Sequence, residues 1–117
     1  EKKALLKTLE DVQAMIGHMV GVAMESQENP KEIYKVGLNT SRLLMATGDL
    51  IIAWLLLRQA DIAQSKLANA GKDTEFYNGK IASAKFFVRS VLPHISVERA
   101  VVESETGEIM NIAESAF

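Results

Sequence analysis

Few side chains in this chain have the type and spacing for chemistry, because it holds 2 histidines and no cysteine. Without thiols there is no disulfide framework, thiolate nucleophile or cysteine-bound metal, and the composition suits a reducing, cytoplasmic setting. His18 follows Gly17 on an apolar helical stretch, and the residue three before it is Met15. The inward-pointing Glu-x-x-His pairs of a di-iron bundle are therefore absent. Phosphotransfer bundles of similar size carry an exposed His followed by Lys and Gly, whereas His18 is followed by Met19, Val20 and Gly21. A structural His18 is the better reading. His94 and Glu98, four residues apart, read as a helix-surface pair. Asp49 and Asp61 are expected to pair with Arg42 and Arg58 rather than to act as acid and base. Met15, Met19, Met24, Met45 and Met110 suit core filling better than haem ligation or a pliable groove. Lys80, Lys85 and Arg89 are too few for a phosphate track, and a net charge of −2 argues against a nucleic-acid partner. There is no glycine-rich phosphate loop, serine elbow or metal-ligand cluster. By themselves these residues predict no catalytic, cofactor or metal site.

The elements around them are helical throughout. Leu5, Leu9, Val12, Ile16, Met19 and Ala23 are spaced 4, 3, 4, 3, 4 and predict an amphipathic first helix, with Lys7 and Asp11 on its wet side. Asn29, Pro30 and Glu32 form a start signal for a second helix running to about Ala70, with Gly71 as its stop and Gly37 or Gly48 as places for an interruption. Asp73 or Thr74 then caps a third helix whose seam is Tyr77, Ile81, Ala84, Val88, Val91 and Ile95, kinked by Pro93. A last short helix fits Ile109 to Ala113. The expected fold is all-α: an up-down-up bundle of three long helices, about residues 3–27, 30–70 and 73–103, plus a short C-terminal helix, in one domain of 117 residues. The chain opens at Glu1 rather than Met, which fits a piece of a longer protein, and Lys2 and Lys3 do not lead into the apolar core of a signal peptide.

The second helix has more apolar girth than a three-helix bundle uses. Leu43 to Leu57 is 15 residues with Thr47 and Asp49 inside it, shorter than the roughly 20 apolar residues of a membrane span. Projected at about 100° per residue, Val36, Leu43, Leu50, Trp54 and Leu57 form a seam, and further Leu and Ile side chains cover nearly all of the remaining circumference. Only a strip with Arg42, Ala46, Asp49 and Ala53 lacks large apolar groups. The third helix carries an uncharged stripe of Gly79, Ser83, Phe86, Ser90, Pro93, Val97 and Val101 opposite its seam. Both surfaces predict burial against another body.

Two stretches, GDLIIAWLLLRQA over Gly48 to Ala60 and FYNGKIASAKFFVRSVLP over Phe76 to Pro93, resemble the extra C-terminal helical domain of one acyl-CoA dehydrogenase subfamily. That group includes 3-methylmercaptopropionyl-CoA dehydrogenase and broad-specificity actinobacterial fatty acyl-CoA dehydrogenases. The resemblance implies a longer FAD-containing parent that forms a double bond between the α and β carbons of an acyl-CoA thioester and passes its electrons to electron-transfer flavoprotein. The catalytic Glu and flavin-binding strands of such an enzyme have no counterpart here. Asp49, Trp54, Arg58, Gln59, Tyr77 and Lys80 are then expected as fold-specifying or docking positions, with Phe86 and Val97 beside them. The partners implied are the parent's catalytic domain, a second copy in a homo-oligomer, or both. The alternative is a free-standing helical interaction module that self-associates.

Overall fold

The computed structural model describes residues 1–117 and contains helices and turns without a strand. Four α-helices follow one another: α1 (Lys2–Glu25), α2 (Ile33–Lys66), α3 (Thr74–Ser90) and α4 (Pro93–Ser104). They form an elongated slab of 67 × 30 × 15 Å. α2 is the spine, α1 runs back along it until Glu1 shares a groove with Leu57, Ala60 and Gln64, α3 packs on α2 from the other end, and α4 closes over α1 and α2. The all-α, up-down-up order expected from periodicity is what forms.

Three local details differ from the expectation. The third segment is two helices rather than one kinked helix, with a turn at Val91–Leu92. Pro93 has no N–H to give to a preceding turn, so it serves as the first residue of α4, and the amides of Val91 and Leu92 both turn to the Phe87 carbonyl. After Ser104 the tail makes only 3₁₀ turns at Glu108–Asn111 and Glu114–Ala116 in place of a last α-helix. Asn29 and Glu32 bond to each other at 3.4 Å instead of capping the backbone, and a 3₁₀ turn at Pro30–Glu32 leads into α2. Neither Gly37 nor Gly48 interrupts α2. Gly71 does end that segment, in the left-handed conformation (φ 54°) that glycine adopts without a Cβ penalty.

The core joins all four helices through Val12, Met15, Met19, Ala46, Ala53, Val88, Leu92, Ile95 and Val102. On α2 the seam that faces it is a heptad: Val36, Asn39, Leu43, Ala46, Leu50, Ala53, Leu57 and Ala60, spaced 3, 4, 3, 4, 3, 4, 3. Its small members Asn39, Ala46 and Ala53 are the buried ones, Ala53 being fully covered, while the leucines are half-buried beside them. Small residues at the contact let the neighbouring helices come close, and the leucine stems then roof the contact. The expected seam residues Val36, Leu43, Leu50 and Leu57 thus do pack on the core, joined by Ala46 and Ala53 from the strip without large apolar groups, whereas Trp54, expected in that seam, stands half exposed.

Candidate docking surfaces and the polar lock

On α1 the buried face is Thr8, Asp11, Val12, Met15, Met19 and Val22, turned from the expected seam so that Leu9 and Ile16 stay open. The reason is Asp11. Its side chain is 2% exposed and accepts hydrogen bonds from Lys7 on its own helix, from Ser96 Oγ (2.6 Å) and from Arg99 Nη1 (3.0 Å) on α4. Burial alone would raise this carboxyl, but the three donors outweigh it and hold it below the ordinary aspartate value. Arg99 also grips Glu103 at 2.8 Å. Sequence reasoning placed Asp11 on the wet side, because its partners lie 85 and 88 residues further on and leave no local signal.

A second bridge ties α2 to α4. Arg42 pairs with Glu98 at 2.6 Å, and His94 meets the other oxygen of the same carboxylate at 2.9 Å. The guanidinium of Arg42 is the main cause of a lowered Glu98 pKa, against the opposing effect of burial. The His94–Glu98 pair is the one expected. The Arg42 and Arg58 pairings are not: Arg42 takes Glu98, and Arg58 lies 5.2 Å from the Trp54 ring centroid as a cation–π contact.

The other singled-out residues divide between grooves and open faces. Asp49 is half-buried in a groove of about 370 Å³ with Arg42, Met45, His94 and Glu98. Tyr77 and Lys80 line one of about 280 Å³ with Gln59, Ile62 and Phe76, where Lys80 Nζ sits 5.4 Å from the Phe76 ring centroid. Phe86 (67% exposed) and Val97 (56%) stand in solvent on the uncharged stripe of α3 and α4, as expected. Met45 (66%) and Ile52 (44%) are likewise uncovered. These helices therefore do present more apolar surface than their mutual contacts use.

No group of three His, Asp or Glu side chains is placed to hold a metal ion. The stretch Pro30–Asn69 includes an 18-residue window of mean hydropathy 1.4, enough by length and composition to cross a membrane. Its inner seam is nonetheless packed against the other helices of the slab.

Comparison with known proteins gives these surfaces a context. The family model described as "Acetyl-CoA dehydrogenase C-terminal like" matches residues 1–113. The chain is 43% identical over 119 aligned positions to the broad-specificity linear acyl-CoA dehydrogenase FadE5 of Mycobacterium tuberculosis, covering 100% of this chain and 20% of that protein. It is 38% identical over 86 residues to a butyryl-CoA dehydrogenase of Syntrophomonas wolfei, covering 70% of this chain and 14% of that protein. Against the 3-methylmercaptopropionyl-CoA dehydrogenase of Ruegeria pomeroyi it is 40% identical over 65 residues, or 56% of this chain and 11% of that protein. The chain thus spans a fifth or less of the length of these relatives.

Proposed function

We propose that this chain, which belongs to the acetyl-CoA dehydrogenase C-terminal-like family, is an accessory helical domain of a larger acyl-CoA dehydrogenase and acts by packing on other bodies of that enzyme. The observation that carries the reading is the uncovered apolar surface of a chain matched end to end within a protein five times its length. On this reading the parent would hold FAD outside this chain as the oxidant for α,β-dehydrogenation of an acyl-CoA, with electron-transfer flavoprotein as the partner that reoxidises it and a cytoplasmic setting. The residues here supply none of that chemistry; they supply shape.

The stripe formed by Gly79, Ser83, Phe86, Ser90, Pro93 and Val97 suits the contact with the catalytic body. It is uncharged, its small residues allow close approach, and Phe86 and Val97 project as anchors. The test is the parent polypeptide carrying Phe86→Glu and Val97→Glu. Hydrogen exchange in α3 and α4 is expected to rise and the enzyme's thermal midpoint to fall, while the isolated bundle keeps its helicity. An open reading frame without a flavoprotein core, or a double variant identical to the parent in both measurements, overturns the reading.

A further inference from the structure

α2 carries a second heptad seam on the side opposite its buried one. Gly37, Ser41, Leu44, Gly48, Ile51, Leu55, Arg58 and Ile62 are spaced 4, 3, 4, 3, 4, 3, 4. None is buried in the bundle, and Leu44 is 69% exposed, Ile62 54% and Ile51 50%. Leu44, Ile51, Leu55 and Ile62 are the large apolar members, Gly37, Ser41 and Gly48 the small ones and Arg58 the one charge, so the stripe holds an exposed apolar row that a second helix in register would cover.

The order of sizes along this seam says which partner. Three of the four members before Ile51 are small (Gly37, Ser41, Gly48), and the later half holds Ile51, Leu55, Arg58 and Ile62. Laid antiparallel on an identical helix, Gly37 meets Ile62, Ser41 meets Arg58, Leu44 meets Leu55 and Gly48 meets Ile51, each twice about a two-fold axis. Small faces large in three of the four layers. A parallel pairing sets glycine on glycine and isoleucine on isoleucine, leaving holes beside collisions. The other glycine signal agrees: nothing lies within 4 Å of where a Cβ would stand at Gly37 or Gly48. We infer that α2 pairs antiparallel with α2 of a second copy of this chain, through the seam Gly37–Ile62.

The area is of the right order: Leu44, Ile51, Leu55 and Ile62, 44–69% exposed, offer roughly 100 Å² each, about half of the ~800 Å² per partner of a standard interface, and the backbone at the glycines and flanking side chains such as Ile52 add to it. A lipid surface asks for no alternation of small and large, so the size pattern favours a helix over a bilayer. The pairing deepens the accessory-domain reading by naming the partner of α2, and it leaves the α3–α4 stripe free for the catalytic body.

The test uses the absence of cysteine. Leu44→Cys and Leu55→Cys chains are made separately, mixed and oxidised. The antiparallel register predicts a disulfide-linked dimer in the mixture and little in either chain alone, whereas a parallel register links Leu44→Cys to itself. Light scattering of the unmodified chain is expected to give twice its 12.9 kDa mass. Leu44→Glu, at a site open to solvent, is expected to raise the dimer dissociation constant at least about 100-fold with far-UV circular dichroism unchanged. A monomer at high micromolar concentration, self-linking of Leu44→Cys alone, or flotation of the chain with phosphatidylcholine–phosphatidylglycerol vesicles in place of a dimer overturns the pairing. A monomeric chain within a flavoprotein reading frame leaves the accessory-domain reading standing. A dimer from a reading frame without that core keeps the pairing and removes the other.

Discussion

Replacing Asp11 by Asn tests whether the polar lock between α1 and α4 contributes to stability. The carboxylate is buried and takes three donors, Lys7 and Arg99 on one oxygen and Ser96 on the other, so the substitution keeps shape, leaves an amide oxygen to Lys7 and Arg99 with its NH₂ toward Ser96 Oγ, and removes the charge that both cations pair with. Hydrogen bonds to a charged group contribute about 1.5–3 kcal/mol, and breaking a buried pair costs about 3–5 kcal/mol. Lys7 is 56% exposed and Arg99 36%, so both regain water, and the loss settles near ~2–3 kcal/mol. For a chain of this size that is roughly 10 °C in thermal midpoint. The pH dependence is the sharper readout. Asp11 binds its proton less readily in the folded chain than in the unfolded one. Its contribution is therefore complete above the unfolded value of about 3.9 and disappears as pH falls through the lowered native value. Urea denaturation of both proteins at one chain concentration, at pH 7 and again near pH 3, measures it. A gap below about 1 kcal/mol at pH 7, or one of equal size at both pH values, would refute a carboxylate lock.

Other substitutions probe the seams. Met15→Ala should cost about 2–5 kcal/mol in denaturant melts, since Met15 is fully covered, while its neighbour Ile16→Ala, at a 44%-exposed site, stays within about 1 kcal/mol. Equal costs would place the α1 seam where periodicity alone put it. Ala53→Leu forces three added carbons into the α2 contact and should destabilise by about 1–3 kcal/mol, despite raising helix hydrophobicity. Gly107→Ala meets a φ of 73° with Lys35 Cγ 3.4 Å from the new Cβ, and is expected to lower stability by about 1–2 kcal/mol in the same melts. Gly48→Ala should stabilise the monomeric Leu44→Glu background by up to about 1 kcal/mol while weakening the dimer of the otherwise unmodified chain.

The all-α class and the order of the three long helical segments were legible because they rest on local chemistry, and Gly71 marks the end of the second segment through its own backbone freedom, a 3₁₀ turn beyond the last residue of α2. The split of the third segment was not, since Pro93 was expected to kink one helix and instead starts α4 through its missing N–H. Which face of each helix turns inward was less legible, for a reason that differs by helix. On α1 a carboxylate in the seam was counted as solvent-facing, since its neutralising partners stand on α4. On α2 alanine scores little in any hydrophobic projection, yet Ala46 and Ala53 are the buried apolar members of the seam, and Trp54, the heaviest apolar group, was drawn into a seam it only borders. The exposed stripe holding Phe86 and Val97 was read correctly, because the absence of charge on a helix face is itself a local pattern.

The two seams of α2 explain one another. A helix in a three-helix slab needs a single stripe, and glycine in an exposed stretch of it costs about 1 kcal/mol relative to alanine. Gly37 and Gly48 sit on the outer side with open space around them, so the bundle alone gives no reason to prefer glycine there. Leu44, Ile51 and Leu55, interleaved with them, would be better as polar residues if water were their permanent neighbour. Both departures vanish together if the outer side is a contact: the glycines become the hollows and the isoleucines and leucines the knobs. The inner seam obeys the same rule, with Ala46 and Ala53 as hollows. Size alternation in heptad register, rather than total hydrophobicity, is therefore the property that marks both faces of this helix as built for helices.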